Sequence, residues 1–115
     1  MELTLEVQRQ DDKPILYCHG HVICGDEAEA LQAAIAKLLA VAEHVMVDLQ
    51  DVRKMDCAGL GVIVTCLDLA RQRGKALELR SVPKHIRQMI RVTGLQGYLN
   101  VADQPYSPSV GAFAA

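Results

Sequence analysis

Residues 56–61 read Asp-Cys-Ala-Gly-Leu-Gly, placing a carboxylate, a thiol and two bare backbone positions side by side. Three chemistries compete for such a segment. Acid–base work needs a second carboxylate, and Asp48 and Asp51 are at hand. Asp48, however, stands inside the apolar run Val45-Met46-Val47-Asp48-Leu49, and Asp56 directly precedes a helical pattern. Asp56 is therefore read as a helix cap. A thiol at a helix N-terminus is open to oxidation, but nothing in the sequence couples Cys57 to a base. An anion cradle is the third reading: Gly59 and Gly61 would leave backbone uncovered where free N–H groups and the helix dipole favour negative charge. The run Gly59-Leu60-Gly61-Val62-Ile63-Val64 lacks the third small residue of a dinucleotide loop, and no Walker lysine and hydroxyl follow. No catalytic residue and no cofactor are assigned on these residues.

A second cluster, Cys18-His19-Gly20-His21-Val22-Ile23-Cys24, has ligand types but no metal-site spacing. On an extended strand His19 and His21 share one side and Cys18 takes the other. The expectation is half-buried cysteines beside strand histidines, with no metal and no disulfide.

Such groups must be positioned by regular elements, and hydrophobic periodicity supplies them. Leu3, Leu5 and Val7 alternate with polar residues as in a half-buried strand. A polar turn over residues 10–14 leads to a second apolar strand, Ile15-Leu16-Tyr17-Cys18, which Gly20 interrupts before a short strand at His21-Val22-Ile23. Asp26 is expected to cap a helix with Glu29 as its capping-box partner, and Leu31, Ile35, Leu38 and Ala42 form the buried stripe. A central strand at residues 44–49 is followed by a polar connection over residues 50–57. A second helix starts near Ala58, buries Leu60, Ile63, Val64, Leu67 and Ala70, and stops at Gly74. Residues 76–80 form another strand, Pro83 opens a third helix, and Gly94 ends it. A last short strand is expected at residues 98–101. The order β-β-(β)-α-β-α-β-α-(β) describes an α/β fold: one domain over residues 1–101, a mixed sheet with helices, and a flexible tail over 102–115.

Composition fits that reading. The 115 residues are 50% hydrophobic with three tyrosines and one phenylalanine, so the core is aliphatic. No apolar run is long enough to span a bilayer and the N-terminus does not read as a signal peptide, so a cytoplasmic protein without membrane insertion is expected. The net charge of −2 argues against a nucleic-acid binder. Charge is uneven: residues 1–56 hold eleven acids and five bases, and residues 57–115 three acids and seven bases. Such a surface is able to steer a protein partner.

The strand ending Asp48-Leu49, followed by Met55-Asp56-Cys57-Ala58-Gly59-Leu60-Gly61-Val62-Ile63, resembles the signature of the STAS domain (sulfate transporter and anti-sigma factor antagonist). Gly20 with Val22, and Thr93-Gly94-Leu95, are similar to further family positions, so the resemblance spans roughly residues 3–101 in order. It implies a protein-interaction module. In the bacterial antagonists of this family, the domain docks on an anti-sigma factor that is also a serine kinase. Phosphorylation of the second hydroxyl residue after the Asp then opens the complex by adding about −1.5 to −2 charges to a packed interface. Here the two hydroxyl positions hold Cys57 and Ala58, and a methyl group accepts no phosphoryl group. Thr65 lies on roughly the same helix face but about 10 Å along the axis.

The resemblance implies an anti-sigma factor antagonist-like module that binds an anti-sigma factor/serine kinase and is not switched at Ala58. Its expected partner patch is Asp56, Cys57, Ala58, Gly59, Leu60 and Gly61 with Arg53 and Lys54 beside them. Gly59→Arg should then weaken docking and leave the fold intact. The alternatives are a scaffold or accessory STAS subunit, of a stress-signalling complex or an ABC-type lipid transporter, and a small-ligand or nucleotide sensor at Gly59 and Gly61.

Overall fold

The alternation at the N-terminus forms a hairpin. In the computed structural model, which describes residues 2–99 and 101–102, β1 (Leu3–Gln10) runs antiparallel to β2 (Lys13–Val22). Asp11 and Asp12 make the two-residue turn, both in the left-handed region with φ of 54° and 65°. That geometry matches the twist of the flanking strands. Then follow α1 (Asp26–Val41), β3 (His44–Met55), α2 (Cys57–Gln72), β4 (Ala76–Arg80), α3 (Lys84–Val92) and β5 (Val101–Ala102). The sheet order is β1-β2-β3-β4-β5, and every pair after the hairpin is parallel, each joined through a crossover helix. The expected mixed α/β fold is the observed one.

Alternate strand residues build the core. Leu16, Cys18 and Val22 of β2, Val45, Val47 and Leu49 of β3, and Leu77 and Leu79 of β4 are buried in one cluster. Leu31, Ile35 and Leu39 of α1, Leu60, Ile63 and Leu67 of α2, and Ile86 and Ile90 of α3 complete it, so the three helices share one face of the sheet. The opposite face carries a row running Glu6, Tyr17, Asp48, Arg80 across adjacent strands. No helix among the described residues is long and apolar enough to cross a membrane.

In detail, Leu39 completes the buried stripe of α1 while Leu38 and Ala42 are only partly buried, and the turn expected over residues 10–14 is confined to Asp11 and Asp12. The larger departures from the sequence reading are four. The segment expected as a polar connection after Leu49 is the second half of β3, because Asp51 to Met55 pair with His19 to Val22 while Val52 and Met55 stay buried. Gly20 does not interrupt β2; the strand runs through it, with irregular register around His19 and His21. Asp26 does not cap α1. The N-cap is Gly25, with φ 100° and no side-chain cap, and Asp26 lies in the first turn, where its charge favours the helix dipole. The last strand begins at Val101, after a turn through residues 96–98. The tail expected to be flexible lies, beyond Ala102, outside the described residues.

Candidate functional site

The candidate site lies where the carboxyl ends of β2 and β3 meet the N-terminus of α2. Ligands and partners gather at such strand ends in open α/β sheets. Met55 is buried and Asp56 follows it in extended conformation as the N-cap of α2. The Asp56 carboxylate accepts a hydrogen bond from Gly59 N–H at 2.9 Å through Oδ1 and one from Cys24 N–H at 3.0 Å through Oδ2. Its own N–H donates to Val22 O at 3.3 Å. One residue thus joins the β3–α2 junction to the loop between β2 and α1. The two N–H donors, that of Gly59 foremost, hold the Asp56 carboxyl below its ordinary pKa.

The expected patch residues fall on two levels. Cys57, Ala58, Gly61, Arg53 and Lys54 are exposed, and Asp56 is half-buried. Gly59 and Leu60 are buried beneath them. A Cβ built on Gly59 would lie 2.3 Å from Val22 O and 2.9 Å from Val22 Cγ1. The glycine is there because α2 rests directly on the end of β2. The backbone at Gly59 is accordingly not open to an anion, and an arginine there would strike the β2 backbone, so Gly59→Arg cannot leave the fold intact. Of the two glycines at the start of α2, Gly61 is the one with open space beside its Cα. Thr65 is exposed one face-repeat further along α2.

The cysteine–histidine segment is dispersed. Cys18 is buried in the core, and burial, aided by the Asp48 carboxylate, pushes its thiol up to about 12. Cys66 is pushed up to about 11 by burial. Cys24 and Cys57 are exposed, and all four thiols are free. His19 sits between two carboxylates on the open sheet face, 2.9 Å from Asp51 Oδ2 and 3.5 Å from Glu6 Oε1. Among the described residues no group of three or more metal-ligating side chains converges.

Hydrophobic periodicity does not mark one neighbouring feature. An apolar groove of about 380 Å³ lies between the start of α2 and α3, lined by Cys57, His85, Gln88, Met89, Val92 and Thr93. Val92 is 84% exposed. An apolar residue off the buried stripe of Ile86 and Ile90 was the available signal.

Known proteins match this architecture. Residues 5–101 match the protein family described as Mlab, STAS domain. A solved Thermotoga maritima protein, described as a candidate anti-sigma factor antagonist, is 21% identical, with a TM-score of 0.78 over 88% of this chain and 87% of that chain. An anti-sigma factor antagonist from Mycobacterium paratuberculosis is 18% identical, with a TM-score of 0.72 over 90% and 87% of the two chains. The Bacillus cell fate determinant SpoIIAA, solved in its phosphorylated form, is 12% identical with a TM-score of 0.67 over 88% and 93%. At these identities the solved structures establish a common fold.

Proposed function

The chain belongs to the STAS domain family, and on that premise we propose that it is an anti-sigma factor antagonist-like docking module whose partner is an anti-sigma factor/serine kinase-like protein. The observation that carries the reading is the exposed start of α2. Asp56 fixes its geometry, Cys57 and Ala58 present small side chains and Gly61 bare backbone to solvent, and Arg53 and Lys54 flank it. Small residues on a rigid helix start let another protein approach the backbone closely. The buried pair Gly59 and Leu60 supports the patch from below.

The methyl group of Ala58 occupies the position that the family resemblance gives to a phospho-accepting hydroxyl, so docking on this patch is constitutive with respect to phosphorylation there. The protein acts as a binding partner in the cytoplasm and not as an enzyme. The test is capture of the partner from native cytoplasm with the parent chain and with Ala58→Asp. A kinase-like anti-sigma factor that is retained by the parent and lost by the variant supports the proposal. Equal retention by both would refute it.

A second reading is favoured by the same methyl group: an accessory STAS subunit, for example of an ABC-type lipid transporter, needs no phosphorylation switch. Capture of a transporter ATPase instead of a kinase-like protein selects it.

A further inference from the structure

The sheet has two edges of very different kind. β5 contributes two residues, Val101 and Ala102, whereas β1 contributes eight in unbroken register with β2. Because Asp11 and Asp12 form a two-residue turn, Gln10 and Lys13 close the hairpin as a hydrogen-bonded pair. The even-numbered residues of β1 therefore bond to β2, in keeping with His21 N–H donating to Glu2 O at 2.7 Å. Leu5, Val7 and Arg9 then direct their N–H and C=O groups outward. Residues 6–10 are all exposed, and no backbone hydrogen bond to these outward groups is present among the described residues.

Natural edge strands are guarded by shortness, proline, bulges or charged side chains, lysine above all. β1 is long, its register to β2 is regular, and residues 3–10 contain neither proline nor lysine; its two charges, Glu6 and Arg9, are of opposite sign. It also exposes half of Val7, an apolar β-branched side chain at the middle of the free edge. These features fit the strand for pairing with another strand.

We infer that β1 is a self-association edge, at which a second copy of this chain pairs antiparallel about a two-fold axis through Val7. The sequence of the strand selects the occupant and the register. With Val7 opposite Val7 of the second copy, the outward-directed residues form hydrogen-bonded pairs, Leu5 lies opposite Arg9, and the Glu6 carboxylate faces the Gln8 amide, which is able to donate to it. A two-fold axis through Glu6 would set two carboxylates against each other. One through Gln8 would bring Asp11 of the turn against Leu5. Pairing through Val7 joins the two sheets into one continuous sheet and does not involve Asp56, Ala58 or the start of α2. The inference is thus independent of the proposed docking function.

The test uses the full chain at concentrations from micromolar to millimolar, by sedimentation equilibrium and by amide hydrogen exchange. A dimer is expected, with exchange at Leu5, Val7 and Arg9 slowing as concentration rises while Thr4, Glu6 and Gln8 are protected throughout. Val7→Pro removes an outward N–H and leaves the β1–β2 ladder complete, so it should give a monomer with unchanged circular dichroism. Should the proline variant fail to fold, Val7→Lys places a guarding charge at the same point and should also give a monomer. A monomeric parent at millimolar concentration would overturn the inference, as would a dimer that survives Val7→Lys. Protection of Leu5, Val7 and Arg9 only when a different protein is added would overturn it in favour of a partner's strand.

Discussion

Asp48 and Arg80 face each other across the β3–β4 ladder, with Arg80 Nε donating to Asp48 Oδ2 at 2.9 Å. Arg80 Nη2 also donates to the Tyr17 hydroxyl at 2.9 Å, and Asp48 Oδ1 accepts from Gln50 N–H at 3.0 Å. The carboxylate side chain is 5% exposed and the guanidinium side chain 24%. A buried carboxylate in an apolar strand is thus compensated by two donors, one of them an Arg80 that is itself anchored on Tyr17, and the row ties β2, β3 and β4 together on the face that carries no helices.

Asp48→Ala should destabilise the fold by on the order of 2–3 kcal/mol, below the roughly 3–5 of a fully buried pair because Arg80 reaches water. Asp48→Asn keeps an acceptor for the Gln50 amide and should lose less. Urea unfolding checks both, and a midpoint unchanged in Asp48→Ala would contradict the account.

Asp56→Ala removes the cap of α2 and the tether to Cys24 together. A cap alone contributes about 1 kcal/mol, within a range of roughly 0.5–2. The lost Cys24 bond places the expected loss in the upper half of that range. The native carboxyl is held below its ordinary pKa, so its contribution is complete above the unfolded-state value and fades as pH falls through the folded-state value. Melting temperature should therefore drop more steeply for the parent than for Asp56→Asn below about pH 4. Parallel curves would be the contrary result.

Gly59→Ala should be destabilising by about 1–3 kcal/mol, the range for overpacked positions. The reason is steric: the new Cβ meets Val22 O at 2.3 Å, and a strand carbonyl has little room to retreat. Gly61→Ala, with nothing within 4 Å of its Cβ, should be neutral or slightly stabilising. Thermal melts of the two variants separate the glycine that is packed from the one that is free.

Ala58→Asp adds a charge at the start of α2, where the dipole favours it by roughly 0.3–1 kcal/mol. The isolated domain should melt no lower than the parent. In a complex docked on this patch, the unpaired carboxylate should weaken affinity by on the order of 1–3 kcal/mol, measured by calorimetry once the partner is in hand. Incubation of the parent with partner and ATP should leave residues 51–65 without added phosphoryl mass.

The thiols divide by environment. Cys18 and Cys66 stay protonated at neutral pH, since burial raises both well above it, whereas Cys24 and Cys57 face solvent. A native chain treated with iodoacetamide should gain label at Cys24 and Cys57 only, and urea should release the other pair. Native labelling at Cys18 would show that β2 opens.

Much of this architecture was legible because its local signals agree. β4 runs from Ala76 to Arg80 as read, its Leu77 and Leu79 alternating inward, and Gly74 adopts the left-handed φ of 69° that ends α2. Asp56 caps as read because the carboxylate stands one residue before the helix. What escaped the sequence depends on partners distant in the chain. Gln50, Asp51, Arg53 and Lys54 look like a loop, yet they extend β3 because the end of β2 lies beside them. Gly59 looks like a phosphate-loop glycine and is instead a close-packing glycine, a distinction set by the carbonyl of Val22. Asp26 looks like a cap and is one position late, because Gly25 takes the unusual backbone angles the turn requires.

The union of β3 with α2 has a kinetic consequence. Met55 is the last residue of the strand and Cys57 the first of the helix, so the patch hangs on a one-residue junction held by Val22, Cys24 and Gly59. A surface preorganised in this way loses little conformational entropy when it is covered. Association should be governed by diffusion and charge, with no folding phase in binding progress curves. Substitutions at Ala58 should then act chiefly on how long the complex lasts.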